Sequence, residues 1–226
     1  MFSTTHVIMI LLCCITGVLI IIPFIKAPEK TSRCIKRIAA IVPFILMILR
    51  WGYVIACKGD LLYELPLHLC SMTGILCLIF EFTSGKGSFM NSLLGQALYA
   101  LCLPGACLAI LFPDGTYYPA LHFISIQSYL FHTLIIIYMI LIIIDGSVRP
   151  DIREAYKSVL FLLIVVPPVM LFDHHFGTNY MFLNRPSNGS PLARFYDAGG
   201  YGGYLAAYAV TAIAVICLMN LLMRKG

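Results

Sequence analysis

The sequence predicts an all-α polytopic membrane bundle of seven transmembrane helices, with the N-terminus outside and the C-terminus cytoplasmic. Three observations predict it. The first is composition. The chain of 226 residues is 61% hydrophobic and only 11% charged, with a mean hydropathy of +0.93. A soluble domain is nearer half apolar and a quarter charged, because it must clothe its core in polar surface. The second is recurrence. Apolar runs close to the ~20 residues a helix needs to cross the hydrocarbon follow one another, separated by short polar breaks. The third is the alternation of basic residues along those breaks.

The expected helices are, in order, His6–Ile25, Ile38–Cys57, Pro66–Phe82, Ser92–Phe112, Leu121–Ile144, Ser158–Phe172 and Gly200–Met223. The first has no basic residues ahead of it and no small-residue cleavage site behind it, so it is expected to be a retained helix rather than a signal peptide. The second carries Arg50 and Trp51 near its outer end. The third follows Pro66. Pro104-Gly105 marks a possible bend in the fourth and Pro167-Pro168 one in the sixth. In the fifth, Ser125, Ser128 and His132 share one face. The cluster Gly199 to Gly203 stands at the head of the seventh, where it allows close packing or a turn. With no linker, repeat or low-complexity tract, residues 1–226 form a single helical domain.

Orientation follows from Lys and Arg. One set of breaks holds Lys26, Lys30, Arg33, Lys36, Arg37, Lys86, Arg149, Arg153, Lys157, Arg224 and Lys225. The opposite set holds Lys58, Arg185 and Arg194, and Arg50 lies within a helix. The basic side is therefore expected in the cytoplasm. The net charge of +5 then reflects topology, not a nucleic-acid partner. The nine cysteines are odd in number and lie mostly in apolar runs, without paired zinc or redox spacing. They read as small buried hydrophobes, Cys70 excepted.

Ionisable groups at membrane depth are costly and point to function. They gather at the outer ends. Glu64 precedes Leu65-Pro66-Leu67-His68-Leu69-Cys70. Asp114 and His122 lie between helices four and five, and Gln127 and His132 within helix five. Asp173, His174 and His175 follow helix six, and Asn179 and Arg185 come next. At 1.5 Å per residue Arg50 lies about 10 Å inside the outer end of helix two, Cys70 about 6 Å past Pro66 and His132 about 16 Å past Leu121. All three can line one cavity opening outward.

Three chemical readings follow. Cys70 is a nucleophile served by a histidine base, His132 or His122. Alternatively the histidines and carboxylates include a zinc site, giving a metal-dependent lipid hydrolase, although no helix-spaced ligand pair is present. In the third, the outer cavity binds a small solute for transport or sensing. Asn188-Gly189-Ser190 matches a glycosylation acceptor that Pro191 disfavours.

The series Leu65-Pro66-Leu67-His68-Leu69-Cys70, Phe112-Pro113-Asp114, His132 and Asn179-Tyr180-Met181-Phe182-Leu183 resembles the YwaF-type bacterial integral membrane proteins. These are related to the eukaryotic transmembrane protein 164 group. The resemblance implies a multi-helix bundle in a bacterial cytoplasmic membrane. From the eukaryotic branch it implies acyl transfer onto lysophospholipids, with Cys70 as nucleophile and His132 as its partner, membrane lipids as partners and no cofactor. Arg50, His68, Asp114, His122, Gln127, Asn179 and Arg185 would then bind the substrate. Relatives usually place Lys-Pro after the Asn-Tyr-Met-Phe-Leu string; here Arg185-Pro186 keeps the charge.

Overall fold

The computed structural model describes residues 3–83, 88–113, 118–187 and 190–222. Lys86, Asp114, Asn188, Arg224 and Lys225 lie outside the described residues. Seven helices are seen: α1 (Thr4–Lys26), α2 (Glu29–Ala56), α3 (Leu69–Phe82), α4 (Phe89–Leu111), α5 (Phe123–Ile144), α6 (Ala155–Phe176) and α7 (Ala193–Leu222). Among the described residues, six helices are long and apolar enough to cross a membrane, all except α3. At 14 residues, or about 21 Å, α3 is shorter than the ~30 Å hydrocarbon.

Several boundaries differ from expectation, and four of them have a clear local reason. Helix α2 starts at Glu29, not Ile38. Its basic first turns are polar, so hydropathy misses them, yet the Glu29–Arg33 pair one turn apart supports the helix. Only Ala27 and Pro28 separate α1 from α2, and Ser32 Oγ clamps that turn by donating to the carbonyls of Phe24 (3.0 Å) and Ala27 (3.2 Å). Helix α3 starts at Leu69 rather than Pro66, because His68 stays extended at its N-cap. Helix α6 runs on to Phe176, so Asp173, His174 and His175 form its last turn instead of a loop, and Gly177 ends it in the left-handed conformation (φ 69°). Helix α7 begins at Ala193 and breaks at Gly200 (φ 60°, ψ −157°), a conformation an L side chain would resist.

Within α4, residues Leu98 to Cys102 form a π-helical turn, with the Leu103 amide donating to the Leu98 carbonyl. Pro104 follows two residues later. It has no N–H to donate to Ala100, and the widened turn is a known way for a helix to absorb that loss. The other internal prolines, Pro23, Pro43, Pro167 and Pro168, lie in helices that continue through them.

Burial ranks the helices. The apolar windows of α4 and α5 are 67% and 56% buried, against 11–22% for the other four spans, so these two form the centre. Helix α5 packs against α1, α2, α3 and the second half of α4. Helix α4 carries the contacts to α6, and its π-turn those to α7. Tyr138, Ile135, Leu98 and Leu141 are fully buried in this core. Outside it, α1 exposes Leu11, Ile15, Val18 and Leu19. A water-soluble fold does not leave such a face open; hydrocarbon accepts it.

Candidate functional site

The string before α3 and the string after α6 fasten to each other. After α2 the chain makes a short 3-10 turn, Leu61–Tyr63, with Asp60 Oδ1 accepting from the Leu62 amide. Past α6 a second turn, Tyr180–Phe182, folds over it. The Tyr180 hydroxyl bridges the first segment, donating to the Leu62 carbonyl (2.5 Å) and accepting from the Leu65 amide (3.0 Å). The Met181 amide donates to His68 Nδ1 (3.2 Å), and the His68 ring packs on Tyr180 with centroids 4.8 Å apart. From α7, Tyr208 donates to the Met181 carbonyl (3.0 Å) and Tyr204 to that of Phe182. Met181 and Phe182 hold φ of 52° and 57°, a conformation that non-glycine residues adopt only where the surroundings compel it.

The anchor of the second string is buried. Asp173 is fully enclosed at the end of α6. Its Oδ1 accepts from Thr178 Oγ1 (2.6 Å) and the Tyr180 amide (2.9 Å), so it orders the turn. Its Oδ2 has no partner among the described residues.

Cys70 occupies the second helical position of α3, half-buried, and no side chain caps that terminus. The uncapped first-turn amides and the helix dipole favour negative charge there. Cys70 packs against the apolar core that includes Cys102 of the π-turn. One turn further along α3, Gly74 lets Phe131 of α5 approach, since a Cβ there would lie 3.1 Å from Phe131 Cε2. His132 is the next residue. Its Nδ1 sits 2.7 Å from the Ser128 carbonyl, which only accepts, so Nδ1 carries the proton and Nε2 of the neutral ring is a basic lone pair. Among the described residues no hydrogen bond joins Cys70 to His132; the helices that carry them, α3 and α5, pack against each other.

Arg50, expected to hold substrate, is engaged within the fold. Its Nε and Nη2 donate to both oxygens of Glu64 (2.5 and 2.9 Å), and Nη1 reaches Gln127 Oε1 (3.4 Å). Gln127 Nε2 donates to the Leu46 carbonyl, and Trp51 Nε1 to that of Glu64 (2.7 Å). Sequence reasoning placed Glu64 in the outer polar set without a role; the structure makes it the partner of Arg50. The signal was there: a carboxylate directly before the Leu-Pro-Leu-His-Leu-Cys string, in the outer segment that follows the apolar run carrying Arg50.

The other expected substrate contacts also have structural partners. His122 caps α5, its Nδ1 accepting from the Ile124 amide (3.2 Å), with Nε2 3.2 Å from the Tyr53 hydroxyl. Asn179 closes its own loop, its Oδ1 accepting from the amides of Asn184 and Arg185 and its Nδ2 donating to the Arg185 carbonyl. The Arg185 side chain is exposed, as are His174 and His175. His6, set apart by sequence, joins the same end of the bundle, with Nε2 2.9 Å from the Ile110 carbonyl.

Among the described residues, no three His, Cys, Asp or Glu side chains are grouped to hold a metal ion, so the zinc alternative lacks a donor set there. Two apolar grooves, of about 230 and 150 Å³, run along α1, and neither touches Cys70 or His132.

A family model matches residues 1–224, nearly the whole chain. The chain belongs to the TMEM164 family. The match therefore extends through both strings and every helix, and it is to the TMEM164 family as a whole, not to the YwaF-type branch in particular. No curated protein and no solved structure matches the chain. As a TMEM164-family member it is a multi-pass membrane protein, as its apolar helices require.

Proposed function

We propose that this TMEM164-family protein is a thiol-dependent lipid acyltransferase, with Cys70 as nucleophile and His132 as base. The observation that carries the reading is the first turn of α3: a half-buried cysteine at an uncapped helix N-terminus, on the helix that crosses α5 beside a histidine whose Nε2 is basic. The family's acyl-transfer chemistry, implied by the strings around Cys70, agrees with it.

The chemistry runs in two balanced steps. The Cys70 thiol gives its proton to His132 Nε2, and Sγ attacks the ester carbonyl carbon of a phospholipid. The ester C–O bond breaks, the departing lysolipid oxygen takes the proton from His132, and the acyl group remains as a thioester on Cys70. The hydroxyl of an acceptor lysolipid then attacks the thioester carbonyl and gives its proton to His132; the C–S bond breaks, the acylated lipid leaves, and His132 returns the proton to Cys70 Sγ. The first-turn amides of α3 are suited to steady the oxyanion. Membrane lipids are the partners, and no cofactor enters either step.

The same proposal includes topology. Helix α3 is the seventh membrane-embedded element, short because residues 57–68 enter the bundle as irregular backbone. Irregular backbone is tolerated at depth where protein, not lipid, surrounds it. The Lys/Arg bias puts the N-terminus and the Cys70 end outside a bacterial cytoplasmic membrane.

The test is acyl transfer by the purified chain in lipid, with a labelled phospholipid donor and a lysophospholipid acceptor. Cys70→Ser and His132→Ala should each lose at least about a hundredfold in rate. A labelled acyl group should be trapped on the wild type and not on Cys70→Ala. Full activity in Cys70→Ala would sink the reading.

A further inference from the structure

The basic end of the bundle holds a second feature, far from Cys70. The larger groove, about 230 Å³, lies between α1, α2 and α5, walled by Leu19, Pro23, Ile35, Ile38 and Leu134. Its walls are apolar. Leu19, Pro23 and Lys26 recur at helical spacing, so they form one stripe of α1 that ends in a cation. On α2, Lys30, Cys34 and Ile38 follow at four-residue spacing, a row that begins at Lys30 and meets the groove wall at Ile38. Both lysines are exposed and have no described ion-pair partner. Their neighbours are already neutralised. Arg33 pairs with Glu29, Lys36 with Asp145 (2.5 Å), and Arg37 faces Glu81 and the Phe82 ring. The Ser32 clamp fixes the tight turn between α1 and α2.

Depth matches as well. Leu19 lies seven residues, roughly 10 Å, from Lys26 along α1. The polar layer of a leaflet is about 5–8 Å thick, so lysines at headgroup level leave the groove in hydrocarbon. Ile22 and Ile25 flank it, 46% and 60% exposed, on the lipid-facing side. An occupant must therefore be apolar below and anionic above.

We propose that this groove seats one acyl chain of an anionic phospholipid whose phosphate is held by Lys26 and Lys30. An apolar groove with two exposed cations at the turn beside it fits an acyl chain below an anionic headgroup. The site is independent of the Cys70 chemistry.

The test is native mass spectrometry of the full chain in detergent, titrated with phosphatidylglycerol, phosphatidylcholine or inorganic phosphate. Phosphatidylglycerol should bind more tightly than phosphatidylcholine. Each cation near an anionic headgroup contributes a few-fold, so Lys26→Gln with Lys30→Gln should weaken phosphatidylglycerol roughly 30-fold and abolish the preference. Ile38→Trp, at an exposed groove position, should displace the lipid while leaving the fold intact. Lys58→Gln with Arg194→Gln removes the same charge from the opposite end and should change nothing. The proposal is overturned if that control weakens binding equally. It also fails if the lysine pair or Ile38→Trp leaves phosphatidylglycerol affinity unchanged, or if inorganic phosphate binds as tightly as the lipid.

Discussion

Tyr180 is the residue on which the two strings meet. One hydroxyl satisfies a carbonyl and an amide of the irregular segment before α3, groups that have no helix to pair with. Removing the oxygen leaves both half-buried and unpaired, a loss of about 1–3 kcal/mol. Burial also pushes the Tyr180 phenol from its ordinary value of 10.0 up to about 12. A raised folded-state value means that the neutral phenol is favoured by folding. The stabilisation is complete below the unfolded value and fades as pH climbs from about 10 to about 12. Thermal unfolding in detergent should show a lower Tm for Tyr180→Phe at neutral pH and a shallower decline across that alkaline window than in the wild type. Equal slopes for the two proteins would remove Tyr180 from the alkaline transition. The Arg50–Glu64 pair teaches a related lesson. Side chains about a quarter exposed gain only modest stability from pairing, so its main effect is to fix where the guanidinium points.

At the level of elements, close helix crossings depend on particular glycines. At Gly95 in α4 a Cβ would lie 2.9 Å from Val148 Cγ2 and 3.2 Å from Phe80 Cε2. Val148 is itself buried and branched, so it has little room to move. Gly17 of α1, half-buried, has nothing within 4 Å of the same position. The two sites separate packing from helix propensity. Alanine gains up to about 1 kcal/mol over glycine inside a helix. Overpacking costs about 1–3 kcal/mol. Gly95→Ala should therefore lower thermal stability while Gly17→Ala leaves it equal or raised. Identical responses at both positions would contradict the crossing of α4 with Phe80 and Val148. At the basic end, Glu81 of α3 meets Lys36 and Arg37 of α2 and the Tyr138 hydroxyl of α5, tying three elements by polar contacts where helix packing thins out.

For the whole molecule, the proposed alternation of helices sends most of the basic residues to one end and the strings to the other. Two exposed cysteines mark these ends: Cys34 among the basic residues and Cys57 beside the strings. In single-cysteine variants expressed in intact cells, a membrane-impermeant maleimide should label Cys57 directly and Cys34 only after permeabilisation. The reverse pattern would invert the proposed orientation. If both label from one side, the number of crossings between them is even, against the single crossing assigned to α2.

The sequence by itself determined the membrane class, the order of the helices and the segregation of charge, because each follows from local hydropathy and from where Lys and Arg sit. It also marked Cys70, His132 and the two strings, whose residue types stand out against an apolar chain. It misjudged ends where the apolar signal stops before the helix does, as at Glu29 and Asp173. Only the tertiary structure decided the partners. That Glu64 neutralises Arg50, that Tyr180 bridges Leu62 and Leu65, and that His122 meets Tyr53 are all matters of contact between segments apart in the chain. Hydropathy is a property of each residue alone and carries no information about which buried polar group will satisfy which other; that pairing is set when the helices close, since an unpaired polar group inside the bundle is costly.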